Sequence, residues 1–207
     1  MLKRLAVYCG ARAGQDPSFM EMATDFGHQM AEHDVALVYG GGRFGLMGAV
    51  ADAVLEAGGQ AHGVITEELA NRGTSHPDLT SLEIVDDMNT RKNQMMEMAD
   101  GLLALPGGLG TLEEVSEAFS WTALGDNAKP VALYNYRNFY QPLKDMLATM
   151  EMTGFTEPPY VNAIKFATNF DEVADFMNHY QAPAIRSYEK LALHGRQLRL
   201  NRGGGHF

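Results

Sequence analysis

The sequence predicts an α/β fold: a Rossmann-like, mostly parallel sheet with helices on both faces, in a single domain. Three observations carry that expectation. Short apolar runs alternate with amphipathic stretches in a βαβα rhythm. That rhythm builds parallel sheets, because each crossover helix covers a sheet face. Glycine turns follow three of the apolar runs, at Cys9-Gly10, at Gly40-Gly41-Gly42 and at Pro106-Gly107-Gly108-Leu109-Gly110. They fall at carboxyl ends of strands, where such sheets bind ligands. The length of 207 residues suits one domain with a sizeable core.

Each element has its own signal. Residues 5–9 are apolar and β-compatible. Residues 18–33 fit an amphipathic helix with Pro17 near its start. A second strand is expected over 35–39 and a helix over 46–57, stopped by Gly58-Gly59. Residues 61–65 read as a strand, 66–81 as a loop with a short helix, and 82–85 as a strand. Then follow a helix over 90–99, a strand over 102–105 and a helix over 112–124. Strands are expected at 130–134 and 164–167, and helices at 140–150 and 171–180. The folded domain is taken as residues 1–183. Residues 184–207 form a tail holding Arg186, Lys190, Arg196, Arg199 and Arg202, basic on an acidic body. It reads as a solvated, fraying end or as a subunit contact.

Composition excludes several classes. A formal net charge of −10 argues against nonspecific binding to nucleic acid or anionic membrane, so an anionic ligand needs a local positive pocket. No apolar run reaches membrane-spanning length, and Met1-Leu2-Lys3-Arg4-Leu5 runs straight into a strand without a signal-peptide core. Cys9 is the only cysteine, which rules out an internal disulfide. A cytoplasmic location is expected. His62, His76 and the other histidines show no metal spacing, so no metal is expected. Cys9 has no evident histidine partner for a nucleophilic role. Met20, Met30, Met95, Met96 and Met98 read as core or as an adaptable interface.

The chemistry concentrates in Pro106-Gly107-Gly108-Leu109-Gly110-Thr111-Leu112-Glu113-Glu114. An apolar strand, a glycine turn, a threonine and a helix together make an anion site. Glycine lets backbone N–H groups approach an oxyanion, and the helix N-terminus adds positive potential. Glu113 and Glu114 either compensate the helix dipole or act on whatever is attached to the anion. Gly40-Gly41-Gly42-Arg43-Phe44-Gly45 matches GxGxxG, but after the second strand and not the first. Its candidate ribose acid, Glu67, equally starts a solvated helix, which leaves NAD binding the lesser reading. Arg91 and Lys92 open a helix that Asn89 or Thr90 is expected to cap, and cations there oppose the helix dipole. They are two surface charges or a functional pair.

Together these segments resemble the LOG (Lonely Guy) family of cytokinin riboside 5′-monophosphate phosphoribohydrolases, formerly labelled lysine decarboxylases. The similarity spans roughly residues 5–180. It is carried by Gly40-Gly41-Gly42 through Gly45-Leu46-Met47-Gly48, by Met88 with Arg91-Lys92, and by residues 106–114, matching GGGxxGLMG, MxxRK and PGGxGTxxE. The resemblance implies a homodimer or larger homo-oligomer with the site near the subunit interface. It implies hydrolysis of the N-glycosidic bond of a nucleoside 5′-monophosphate, AMP or an N6-modified cytokinin form, to free base and ribose 5-phosphate, with no cofactor. By motif position Arg91 and Glu114 correspond to the catalytic pair. Lys92, Gly107, Gly108, Leu109, Gly110, Thr111 and Glu113 correspond to substrate binding, with Gly41 and Gly42 near the ligand. Ser120 matches a threonine that contacts substrate in similar proteins.

The chain departs from the family at three places. Cys9-Gly10-Ala11-Arg12 stands where CGSS is usual, Asn89 replaces a histidine, and a family glutamate aligns near Gly73. These changes bear on which base is preferred. The competing reading is a non-enzymatic nucleotide or molybdenum-cofactor carrier, since such carriers resemble this fold and use a glycine-rich anion site. A lysine decarboxylase would need a pyridoxal-phosphate lysine, for which no context exists.

Overall fold

The computed structural model of the chain describes residues 1–187. Seven parallel strands form one sheet: β1 (Arg4–Tyr8), β2 (Ala36–Tyr39), β3 (Ala61–Thr66), β4 (Ser81–Val85), β5 (Gly101–Ala104), β6 (Val131–Tyr134) and β7 (Ile164–Ala167). Their order is β4-β3-β2-β1-β5-β6-β7. The inner strands β2, β5 and β6 are apolar throughout because both of their faces are covered. Side chains alternate accordingly: Leu5 and Val7 point into one core, Ala6 and Tyr8 into the other.

The helices divide between those two cores. The first core holds residues of α1 (Ser18–Glu32), α2 (Gly45–Glu56) and α8 (Phe170–His179), among them Phe26, Met30, Val50, Val54 and Phe170. The second holds residues of α4 (Met88–Met98) and α5 (Leu109–Leu124), with Met95, Met96, Val115 and Ala118 against Val38, Val64 and Leu133. Between them in sequence lie α3 (Glu67–Asn71), α6 (Gln141–Met152) and α7 (Pro158–Asn162). Among the described residues no helix is long and apolar enough to cross a membrane.

Two helix starts differ from expectation by more than one residue, and both differences matter to the site. Helix α4 begins at Met88 because Asp87, rather than Asn89 or Thr90, is its cap. The Asp87 carboxylate accepts the N–H groups of Asn89 at 2.7 Å and Thr90 at 2.9 Å. Arg91 therefore closes the first turn and Lys92 opens the second. Helix α5 begins at Leu109, three residues before the expected start, since the Leu112 N–H already bonds the Gly108 carbonyl at 3.1 Å. Glu113 and Glu114 thus stand in the second turn, where dipole compensation is weak. The short helix α7 and a 3₁₀ turn over Tyr136–Asn138 had no periodic signal. Of the basic tail, residues 184–187 pack back on the body: the Arg186 N–H reaches the Ala123 carbonyl, and the Tyr160 hydroxyl reaches that of Ala184. Residues 188–207 lie outside the described residues.

Candidate active site

The strand order reverses at β1 and β5, and a cavity of about 640 Å³ opens at their carboxyl ends. Its volume is that of a small-molecule site. Two glycine turns and two helices supply its polar side.

The turn after β5 forms the floor. The Gly10 N–H donates to the Pro106 carbonyl at 3.1 Å, joining the β1 and β5 ends. The buried Tyr140 hydroxyl donates to Leu105 at 2.7 Å and holds the turn from below. Gly107 is required by packing, because a Cβ there would overlap the Thr111 side chain. Gly108 and Gly110 are not: a Cβ on either meets no protein atom within 4 Å. Gly108 is also the N-cap of α5 and supplies no side-chain oxygen. The N–H groups of Leu109, Gly110 and Thr111 find no protein acceptor among the described residues. The sequence thus leaves a helix N-terminus uncapped and facing a cavity, which suits an anion.

The turn after β2 has the opposite character. A Cβ on Gly40 would overlap the Arg91 guanidinium, and one on Gly45, at φ +60°, would overlap the backbone of Ala11 and Arg12. The Gly10 carbonyl accepts from Leu46 N–H at 2.9 Å and Met47 N–H at 3.3 Å. The start of α2 is thereby closed by the protein itself. Those N–H groups are not free to bind a dinucleotide pyrophosphate, and Glu67 is an exposed first-turn acid of α3.

Arg91 reaches the cavity from α4 as a buried side chain. Its Nε donates to the Val64 carbonyl at 2.9 Å, its Nη2 to Gly40 at 3.0 Å and its Nη1 to the Met88 sulfur at 3.2 Å. Nη1 also lies 3.7 Å from Glu114 Oε1. Burial pushes the Glu114 carboxyl up to about 7; the pull of Arg91 opposes this and does not overcome it. A carboxyl titrating near neutrality beside a fixed cation is the arrangement expected of an acid or base. Burial also raises the Cys9 thiol and the Tyr8 hydroxyl, with the Glu114 charge adding to both, so neither ionises near neutrality.

Of the residues expected from sequence, Arg91, Glu114, Gly42, Gly107, Gly108, Gly110 and Thr111 line the cavity. Lys92, Glu113, Leu109, Gly41 and Ser120 do not. Lys92 turns the other way and bridges α4 to α5, donating to Glu113 and, at 2.7 Å, to Glu117. Burial disfavours the Lys92 charge, but those two carboxylates outweigh it and raise its pKa. Gly41 packs against Leu82 and Ile65. Ser120 is exposed, and Leu109 is 85% exposed. Sequence reasoning missed the apolar wall of Phe19, Met47, Leu69 and Phe139. Phe19 and Phe139 meet edge to face at 5.9 Å, and an Arg137–Asp16 ion pair at 2.7 Å ties their loops. Met47 lies in the GGGxxGLMG stretch without being singled out, and no motif marks Phe19, Leu69 or Phe139.

The family described as "Possible lysine decarboxylase" matches residues 47–177. A cytokinin riboside 5′-monophosphate phosphoribohydrolase of Arabidopsis thaliana is 38% identical over 179 residues, covering 86% of this chain and 82% of that protein. One from Rhodococcoides fascians is 41% identical over 157 residues, covering 75% and 79%. Among solved structures, the molybdenum cofactor carrier protein of Chlamydomonas reinhardtii aligns with a TM-score of 0.64 at 19% identity, over 86% of this chain and 97% of that one. The molybdenum cofactor binding protein of Rippkaea orientalis also aligns at 0.64 and 19%, over 86% and 96%. At that identity the likeness is one of fold.

Proposed function

The chain belongs to the LOG family of cytokinin riboside 5′-monophosphate phosphoribohydrolases, and from that membership we propose that it hydrolyses the N-glycosidic bond of a nucleoside 5′-monophosphate. The products are the free base and ribose 5-phosphate. The observation that supports this most directly is the Glu114 carboxyl, raised to about 7, in the second turn of an uncapped helix that faces a cavity.

The 5′-phosphate accepts the free N–H groups of Leu109, Gly110 and Thr111 at the positive end of α5. That binding energy positions the sugar beside Glu114. As the C1′–N bond breaks, the base leaves with the bonding pair and positive charge spreads over the ribose ring. Ionised Glu114 stabilises that charge. Water then adds at C1′ and Glu114 takes its proton, which its pKa suits near neutral pH; that proton passes on to the departed base nitrogen, giving the neutral base and restoring the carboxylate. Arg91, held by the Val64 and Gly40 carbonyls, keeps Glu114 in place and balances its charge. Lys92 with Glu113 and Glu117 braces α4 against α5 outside the cavity. The wall of Phe19, Met47, Leu69 and Phe139 suits a planar base with an apolar N6 substituent.

The test is incubation with a panel of nucleoside 5′-monophosphates, AMP and N6-prenylated AMP included, scored for base and ribose 5-phosphate by chromatography. Release of no base from any of them overturns the proposal. Co-purification of an intact pterin or nucleotide would then favour the carrier reading, which rests on fold likeness. We also infer a homodimer or larger homo-oligomer, supported by the exposed Met88, Leu109 and Leu112 on α4 and α5. Sedimentation showing only a monomer would remove that part.

A further inference from the structure

We propose that Arg12 is the cation that neutralises the phosphate in this cavity and so selects phosphorylated ligands. The proposal rests on reading the cavity as a nucleotide site, and adds a residue that lies outside all three sequence motifs.

The backbone of Arg12 is held between the two glycine turns. A Cβ built on Gly10 would lie 3.2 Å from the Arg12 carbonyl and 3.4 Å from Gly107 Cα, so one small volume touches both segments. On the other side, Gly45 lies directly against the Arg12 amide. The segment from Gly10 to Arg12 is thereby packed beside the floor of the cavity, and Arg12 is one of the residues that line it.

Charge accounting then singles this side chain out. Among the described residues two cations, Arg12 and Arg91, line the cavity. Arg91 is committed to two carbonyls, a thioether and Glu114. Lys92 is committed to Glu113 and Glu117 outside the cavity. Arg12 has no ion pair or hydrogen bond from its side chain among the described residues. The ligand is expected to be a dianion, the chain carries a net charge of −10, and Glu114 faces the same space. Backbone N–H groups bring only partial charge, whereas a guanidinium brings a full one with a fork that matches phosphate oxygens.

Titration calorimetry of the full chain tests this without turnover, using ribose 5-phosphate and free adenine as probes with wild type, Arg12→Ala and Arg12→Lys. Loss of a charge-assisted phosphate contact predicts ribose 5-phosphate binding about tenfold or more weaker in Arg12→Ala, with partial recovery in Arg12→Lys. Adenine affinity should stay within about twofold and the melting temperature should not move, since the side chain is exposed. Equal ribose 5-phosphate affinity in wild type and Arg12→Ala overturns the proposal, as does an equal loss of adenine affinity. If Arg12 governs phosphate binding but no nucleotide is cleaved, only the hydrolase reading falls. If cleavage occurs and Arg12→Ala binds normally, only Arg12 falls. A wild type that binds no phosphate monoester removes both.

Discussion

Gly40, Gly41 and Gly42 after β2 and Gly107, Gly108 and Gly110 after β5 are alike in composition and in position, each set between a central strand and a helix. Their surroundings separate them. Side chains in the first turn would strike protein: Arg91 at Gly40, Met47 at Gly42, and the 11–12 backbone at the nearby Gly45. In the second, only Gly107 is hemmed in, while Gly108 and Gly110 face open space. The first turn is glycine-rich so that the protein can fill it, with a guanidinium and with Gly10 closing α2. The second leaves Gly108 and Gly110 facing open space in the cavity. A motif written only as letters does not distinguish these cases; the neighbours of each absent Cβ do.

The largest effect should come from the carboxylate that the open turn presents. Glu114→Gln keeps the shape and removes the charge, and kcat for base release should fall by about a hundredfold or more. The parental rate should rise with pH through about 7 as Glu114 ionises and then level off. A Gln variant that retains both the rate and that inflection would falsify the assignment. Next in size, Gly40→Ala should displace Arg91 and cost about 1–3 kcal/mol in denaturant unfolding, with activity lost alongside. A stable, active Gly40→Ala protein would mean that the turn yields and that Arg91 needs no such seat.

Gly110→Ala sharpens the contrast from the other side. Stability should hold or rise by about 0.5–1 kcal/mol, since alanine is the better helix residue, while ribose 5-phosphate binding weakens by about tenfold. Loss of stability with unchanged binding would make Gly110 structural and collapse the distinction between the turns. The smallest effect is expected at Ser120, exposed on α5 and outside the cavity. Ser120→Ala should change kcat/KM by less than about twofold. A tenfold loss would instead assign Ser120 to a site completed by a second copy of the chain.

Much of the architecture was legible because the inner strands, covered on both faces, have to be continuously apolar, as Ala36–Tyr39 and Val131–Tyr134 are. Helix starts were less so. The caps Asp87 and Gly108 are set by which N–H groups a carboxylate or carbonyl reaches, and no periodicity encodes that. In the site, Arg91 and Glu114 were legible one at a time from their motifs. Lys92, adjacent to Arg91, was grouped with it, yet one residue along a helix turns a side chain by about 100°. That rotation carries Lys92 away from the cavity to Glu113 and Glu117.

The sequence by itself determined the parallel α/β class, the glycine-rich turn into a helix over residues 106–111 and the family, because these depend on residue type and local order. The tertiary structure decided which glycines are hemmed in by protein and which face open space, and that burial holds Glu114 near 7 despite Arg91. It also brought Arg12 to the floor of the same cavity. Those outcomes depend on atoms from β1, β2, β5, α4 and α5 meeting at one end of the sheet. Close contact and desolvation between segments distant in sequence arise only once the chain is folded.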